Sequence, residues 1–147
     1  MDTGKPIIIG CDHAGFQMKE TIREYLFILG FEVDDFGTHS EESVDYPDFG
    51  NMVARQITTG KYERGILICG TGIGMSMVAN RYPQIRAALC NDLFSAIMSR
   101  RHNDANILVM GGRVIGVELA KEIVRSWLDT PFDGGRHRTR LGKFCEF

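Results

Sequence analysis

Gly65-Ile66-Leu67-Ile68-Cys69, followed at once by Gly70-Thr71-Gly72-Ile73-Gly74, decides the fold. The first five residues form a continuous apolar run without alternation, the mark of a strand covered on both faces of a parallel sheet. Glycines at alternate positions then make a tight loop, and a helical stretch from Met75 to Asn80 follows. Strand, loop and helix in that order are one unit of a wound α/β sheet. Similar units lie on either side. Upstream, Pro6-Ile7-Ile8-Ile9-Gly10 runs into Cys11-Asp12-His13-Ala14-Gly15, after which Met18, Ile22, Tyr25, Leu26 and Leu29 mark one helical face that Gly30 ends. Phe31 to Phe36 reads as the second strand, and Asp45-Tyr46-Pro47 opens a helix carrying Phe49, Val53 and Ile57 as far as Gly60. Downstream, Arg86 to Cys90 and Asn106 to Met110 read as strands four and five, with helices over Leu93 to Arg101 and Gly116 to Leu128.

Parallel neighbours need right-handed helical crossovers, so the alternation predicts one doubly wound, three-layer α/β domain over residues 1–147. Its five-stranded parallel sheet is Rossmann-like or flavodoxin-like, and the commonest order, 2-1-3-4-5, is expected. In that order the ligand crevice opens where strands one and three diverge, which sets Asp12 and His13 opposite Cys69 and the glycine loop. At 147 residues the chain is one domain's worth, able to bury roughly two-thirds of its unfolded surface. Its longest apolar stretch, Tyr25 to Leu29, is far too short to span a membrane. A net charge of −2 argues against a nucleic-acid partner. Met1-Asp2-Thr3-Gly4-Lys5-Pro6 has neither a basic start nor an apolar targeting core, so a cytoplasmic location is expected. Charge is unevenly placed, with acids crowding positions 32–48 and Arg136, His137, Arg138, Arg140 and Lys143 gathered in a basic tail over 130–147. Such a tail is either a solvated end or half of an anion site.

Cys11, Cys69, Cys90 and Cys145 make no Cys-x-x-Cys pair, which leaves neither a zinc-ribbon nor a redox spacing, and no metal site is expected. Cys69 stands at the mouth of the glycine loop, where a helix start favours the thiolate. A phosphate-transfer cysteine would need arginine six positions on, where this chain has Met75. The loop lacks a P-loop's Gly-Lys-Ser/Thr ending, and its glycine spacing is wrong for a dinucleotide fingerprint. Its amides suit an anion or a developing oxyanion. His102, in Arg101-His102-Asn103-Asp104-Ala105-Asn106, is placed at the same sheet edge as Cys69 and reads as a proton donor, with Arg113 adding a cation there. Arg136 and Arg140 would join them if the tail folds back.

Gly10-Cys-Asp-His-Ala-Gly15, Asp45-Tyr-Pro47, Cys69-Gly-Thr-Gly-Ile-Gly74, Arg101-His-Asn-Asp-Ala-Asn106 and Gly134-Gly-Arg-His137 together resemble the ribose-5-phosphate isomerase B family, nearly end to end and in order. That wider family includes allose-6-phosphate and galactose-6-phosphate isomerases. The resemblance implies a cofactor-free and metal-free aldose–ketose isomerase, interconverting ribose 5-phosphate and ribulose 5-phosphate. It also implies a homodimer, or a dimer of dimers, with active sites shared between subunits. On that reading Cys69 is the base, the amides of Gly70, Thr71, Gly72, Ile73 and Gly74 hold the enediolate oxygen, and His102 with Thr71 opens the sugar ring. Asp12, His13, Tyr46 and Asn103 take sugar hydroxyls, and Arg113, Arg136 and Arg140, with His137 beside them, take the phosphate. Part of the family has a glutamate base after the glycine loop, and Met75 at that position implies the cysteine branch. Two alternatives stay open: a hexose-6-phosphate isomerase, and a non-catalytic flavodoxin-like module binding a nucleotide or flavin.

Overall fold

The computed structural model describes residues 1–144, so Cys145 and the last of the basic tail lie outside the described residues. Five parallel strands form one sheet: β1 Ile7–Cys11, β2 Val33–Asp35, β3 Arg64–Cys69, β4 Ala87–Leu89 and β5 Ile107–Gly111. Between and after them run α1 Phe16–Ile28, α2 Tyr46–Thr58, α3 Ile73–Ala79, α4 Leu93–Arg101, α5 Val117–Asp129 and a short α6, Arg136–Leu141. The alternation, the parallel sheet and its two helical layers follow the expectation.

The lateral order does not. It is 2-1-3-5-4, with β5 beside β3 and β4 at the edge, where 2-1-3-4-5 was expected. Burial explains the exchange. Every residue of β5 is buried, whereas β4 is three residues long and only half covered, so β5 takes the central position and β4 the rim. Right-handed crossovers are kept by sending α4 to the opposite face from α3 as the chain steps back inward. Accordingly α1, α4 and α5 pack on one face, around Ile22, Leu26, Ala96, Ile123 and Trp127. On the other face α2 and α3 pack around Val53, Ile57, Met75 and Ala79.

Lys19 is a charged group wholly buried beneath α1. Its ammonium donates to Asp35 at 2.7 Å and to the Thr38 carbonyl at 2.8 Å, with Glu20 at 3.0 Å, so the charge is fully met. This cluster ties α1 to the chain leaving β2. The same chain caps the end of β1, where Cys11 N–H donates to the Gly37 carbonyl and Thr38 N–H to the Cys11 carbonyl. Asp12, the next residue, is thereby held in place. No helix of the described residues is long and apolar enough to cross a membrane.

Candidate active site

At the carboxyl edge of the sheet, β1 and β3 are neighbours and their loops diverge to opposite faces, as expected for the crevice. Asp12 is buried there, one carboxylate oxygen accepting from Gly15 N–H at 3.1 Å and capping the turn His13–Gly15. His13 Nδ1 accepts a hydrogen bond from Val44 N–H at 3.1 Å. An acceptor Nδ1 leaves Nε2 as the N–H donor of a neutral ring, so the backbone of the acidic loop sets the tautomer. Val44 carries no motif, and a main-chain donor leaves no trace in side-chain identity.

Cys69 ends β3 almost fully covered, and its Sγ accepts from Gly72 N–H at 3.2 Å. That contact strengthens as the sulfur gains negative charge. Gly72 has φ +84°, and a Cβ there would lie 3.1 Å from the Met110 carbonyl oxygen and 2.4 Å from Leu89 Cδ1, so the turn that aims its N–H at sulfur requires glycine. Thr71 Oγ accepts from Ile73 N–H at 3.2 Å. The amides of α3's first turn have no partners inside the helix. Tyr46, the first residue of α2, lies against this turn, its ring where a Cβ on Gly74 would sit. The corrected strand order brings in Arg113: Cys69 pairs with Gly111, Gly112 N–H donates to the Cys69 carbonyl at 2.8 Å, and Arg113 N–H to the Gly70 carbonyl at 3.0 Å.

The other cysteines are set apart chemically. Burial pushes the Cys11 thiol up to about 12, with Lys19 opposing, and pushes Cys90 up to about 11. Met75, where another branch has its base, is buried in the layer under α2 and α3.

His102 and Asn103 are not at this edge, which corrects the sequence expectation. A helix following a parallel strand returns antiparallel to it, so α4 begins at the carboxyl edge and ends, with His102 as its cap, at the amino edge. Asn106 confirms the position, its side chain bonding to Gln84 and Arg86 just before β4. The length of β5, roughly 13 Å at about 3.3 Å per residue, separates that loop from the Cys69 loop. Nor does the tail fold back onto its own chain's Cys69 crevice, as Arg136 and Arg140 were expected to do if it joined that edge. It folds into α6 at the amino edge, where the His137 ring stacks on His102 with centroids 4.3 Å apart and planes 11° from parallel. Asp133 locks the approach, its carboxylate on Arg101 Nε at 3.1 Å and its N–H on the Arg101 carbonyl at 3.0 Å. His137 is held below the ordinary histidine value by desolvation and then by its neighbours His102, Arg136 and Arg140. Arg136 and Arg140, one helical turn apart, are exposed beside it.

The expected site residues are therefore divided within one chain: Cys69, the loop amides, Asp12, His13, Tyr46 and Arg113 lie at one edge, and His102, Asn103, Arg136, His137 and Arg140 at the other.

The ribose/galactose isomerase family model matches residues 7–144. Ribose-5-phosphate isomerase B of Escherichia coli (strain K12) is 49% identical over 137 residues, covering 93% of this chain and 92% of that protein. D-erythrulose-4-phosphate isomerase of Pectobacterium atrosepticum is 46% identical over 138 residues, covering 93% and 91%. Among solved structures, the ribose-5-phosphate isomerase B of Clostridium thermocellum has a TM-score of 0.94 at 55% identity, covering 96% of this chain and 95% of that one.

Proposed function

This chain belongs to the ribose/galactose isomerase family, and from that premise we propose that it interconverts ribose 5-phosphate and ribulose 5-phosphate with Cys69 as base, in sites completed by a second copy of itself. The observation that carries the reading is Cys69 at the end of the central strand, its sulfur on Gly72 N–H beside a row of loop amides. Proton removal next to a carbonyl asks for such a base and for fixed donors to the oxygen that gains charge.

His102, with Thr71, opens the furanose by passing a proton to the ring oxygen as O1 gives one up. Cys69 thiolate then takes the C2 proton, the electron pair forms the enediolate, and the loop amides of 70–74 hold its oxygen. The O2 proton passes to O1, the thiol returns its proton to C1, and C2 is left as the ketose carbonyl. Asp12, His13 through Nε2–H, Tyr46 and Asn103 hold hydroxyls. Arg113 from one chain and Arg136, His137 and Arg140 from the other grip the phosphate, which keeps the reacting carbons in register.

Sharing is supported by the opposed half-sites, since a two-fold pairing that brings one chain's amino edge to the other's carboxyl edge completes both at once. Exposed apolar side chains around the Cys69 crevice, namely Ile73, Met77, Leu89, Phe94 and Val114, suit the face that a second copy covers. The test is turnover of ribose 5-phosphate, allose 6-phosphate, galactose 6-phosphate and erythrose 4-phosphate in the presence of chelator, for the parent and Cys69→Ala. Ribose 5-phosphate is expected to be the best substrate, and Cys69→Ala to lose about 10²–10⁴-fold in turnover. Near-parental exchange of the C2 proton with solvent by Cys69→Ala would overturn the assignment.

A further inference from the structure

His102, Asp133 and His137 come from three separate elements, and their ligating atoms all lie within 4.8 Å of one another. No spacing in the sequence announces this set. We propose that these three residues bind a borderline transition-metal dication, Zn²⁺ above all, and that its occupancy excludes the phosphosugar. Competition with substrate rests on the proposed roles of His102 and His137; metal binding does not.

Two imidazoles and one carboxylate suit Zn²⁺, Co²⁺ or Cu²⁺, whereas Mg²⁺ and Ca²⁺ favour all-oxygen shells. Tetrahedral coordination at about 2.0–2.2 Å needs donor atoms roughly 3.3 Å apart, so a tilt of the half-buried His102 ring off the buried His137 ring is enough to close the set. Asp133 is already oriented by Arg101, at 3.1 and 3.3 Å, and a carboxylate keeps lone pairs free for a metal while accepting from that guanidinium. Arg136 and Arg140 stand close by and oppose a cation, which makes the site exchangeable. The same arginines attract phosphate, and the two ligands compete for His137.

Co²⁺ titration of the Cys69→Ala protein, in which the base thiol supplies no ligand, reads the site without activity. One Co²⁺ per chain with the visible bands of a four-coordinate ion is expected, abolished by His137→Ala, displaced by ribose 5-phosphate, and weakened about tenfold by Asp133→Asn. With the parent enzyme, Zn²⁺ should raise KM at constant kcat and Mg²⁺ should do nothing. Asp133→Asn should turn over normally in chelator and need about tenfold more Zn²⁺ for the same inhibition. Absence of the bands, their persistence in both His137→Ala and Asp133→Asn, or a fall in kcat without a change in KM would overturn the proposal. An enzyme inactive on every sugar phosphate in chelator would instead overturn the isomerase reading, and the Co²⁺ titration would still decide the metal site.

Discussion

Mixing two dead variants should restore a live enzyme. Cys69→Ala spoils only the carboxyl-edge half-site and Arg140→Ala only the amino-edge one, because the length of β5 lies between those edges within a chain. Each homodimer then has two defective sites. In a mixed dimer, one site combines both defects, and the other combines the intact Cys69 of one chain with the intact Arg140 of its mate. Random exchange of equal amounts makes about half the dimers mixed, with one good site of two, so roughly a quarter of parental activity returns. For a fraction p of one variant the recovered activity follows p(1−p), a parabola that vanishes at both ends. Denaturing the variants together, refolding, confirming heterodimers by a mass tag and assaying ribose 5-phosphate turnover at several ratios measures the curve. If both halves served their own subunit, every mixed-dimer site would keep one defect. A flat line at the level of the separate variants, with heterodimers present, would refute the crossed geometry.

Further outcomes follow from single residues. His102→Asn should fail on furanose phosphates yet exchange the C2 proton of erythrose 4-phosphate, whose O4 is phosphorylated and cannot close a furanose; equal loss on both substrates would refute the division of roles. Gly72→Ala meets a positive φ and the Met110 carbonyl, so urea unfolding should show a loss of about 2–4 kcal/mol, and an unchanged midpoint would contradict the turn geometry. In a Cys145→Ala background, Cys11 and Cys90 stay protonated until pH approaches about 12 and about 11, because burial disfavours the thiolate. At pH 7 their reactive fractions are on the order of 10⁻⁵ and 10⁻⁴, so iodoacetamide should label Cys69 first and abolish turnover. Peptide mapping checks this, and early label on Cys11 or Cys90 with lost activity would count against Cys69 as base.

The carboxyl-edge half of the site was legible because local chemistry writes it. An apolar run ending in Cys69, alternate glycines and a helix start all lie within one short stretch, and the strand-to-helix order fixes the edge on which Asp12, Cys69 and Arg113 emerge. Lateral strand order is a different matter, since β4 and β5 are both short apolar runs and only their relative burial in the finished sheet separates them. His102 belongs at the amino edge by a rule that needs no side-chain signal. A loop leading from a helix into a parallel strand must lie at the amino edge, whatever residues it carries. Helix α6 gave no apolar periodicity, being built of Arg136, His137, Arg138, Thr139, Arg140 and Leu141, and its one signal was the pair Arg136 and Arg140 spaced to share a face.

The opposed edges also govern how the chain behaves when scarce. With sites crossed as proposed, a newly made subunit would hold Cys69 without its ring opener and would be inert toward furanose phosphates until it met a copy. Below the dissociation constant of such a pair, total rate would fall as the square of chain concentration, and dilution alone would silence the enzyme. Folding errors at either edge would likewise be felt in the mate's site, so a defective chain would poison one site of whichever sound chain it joined.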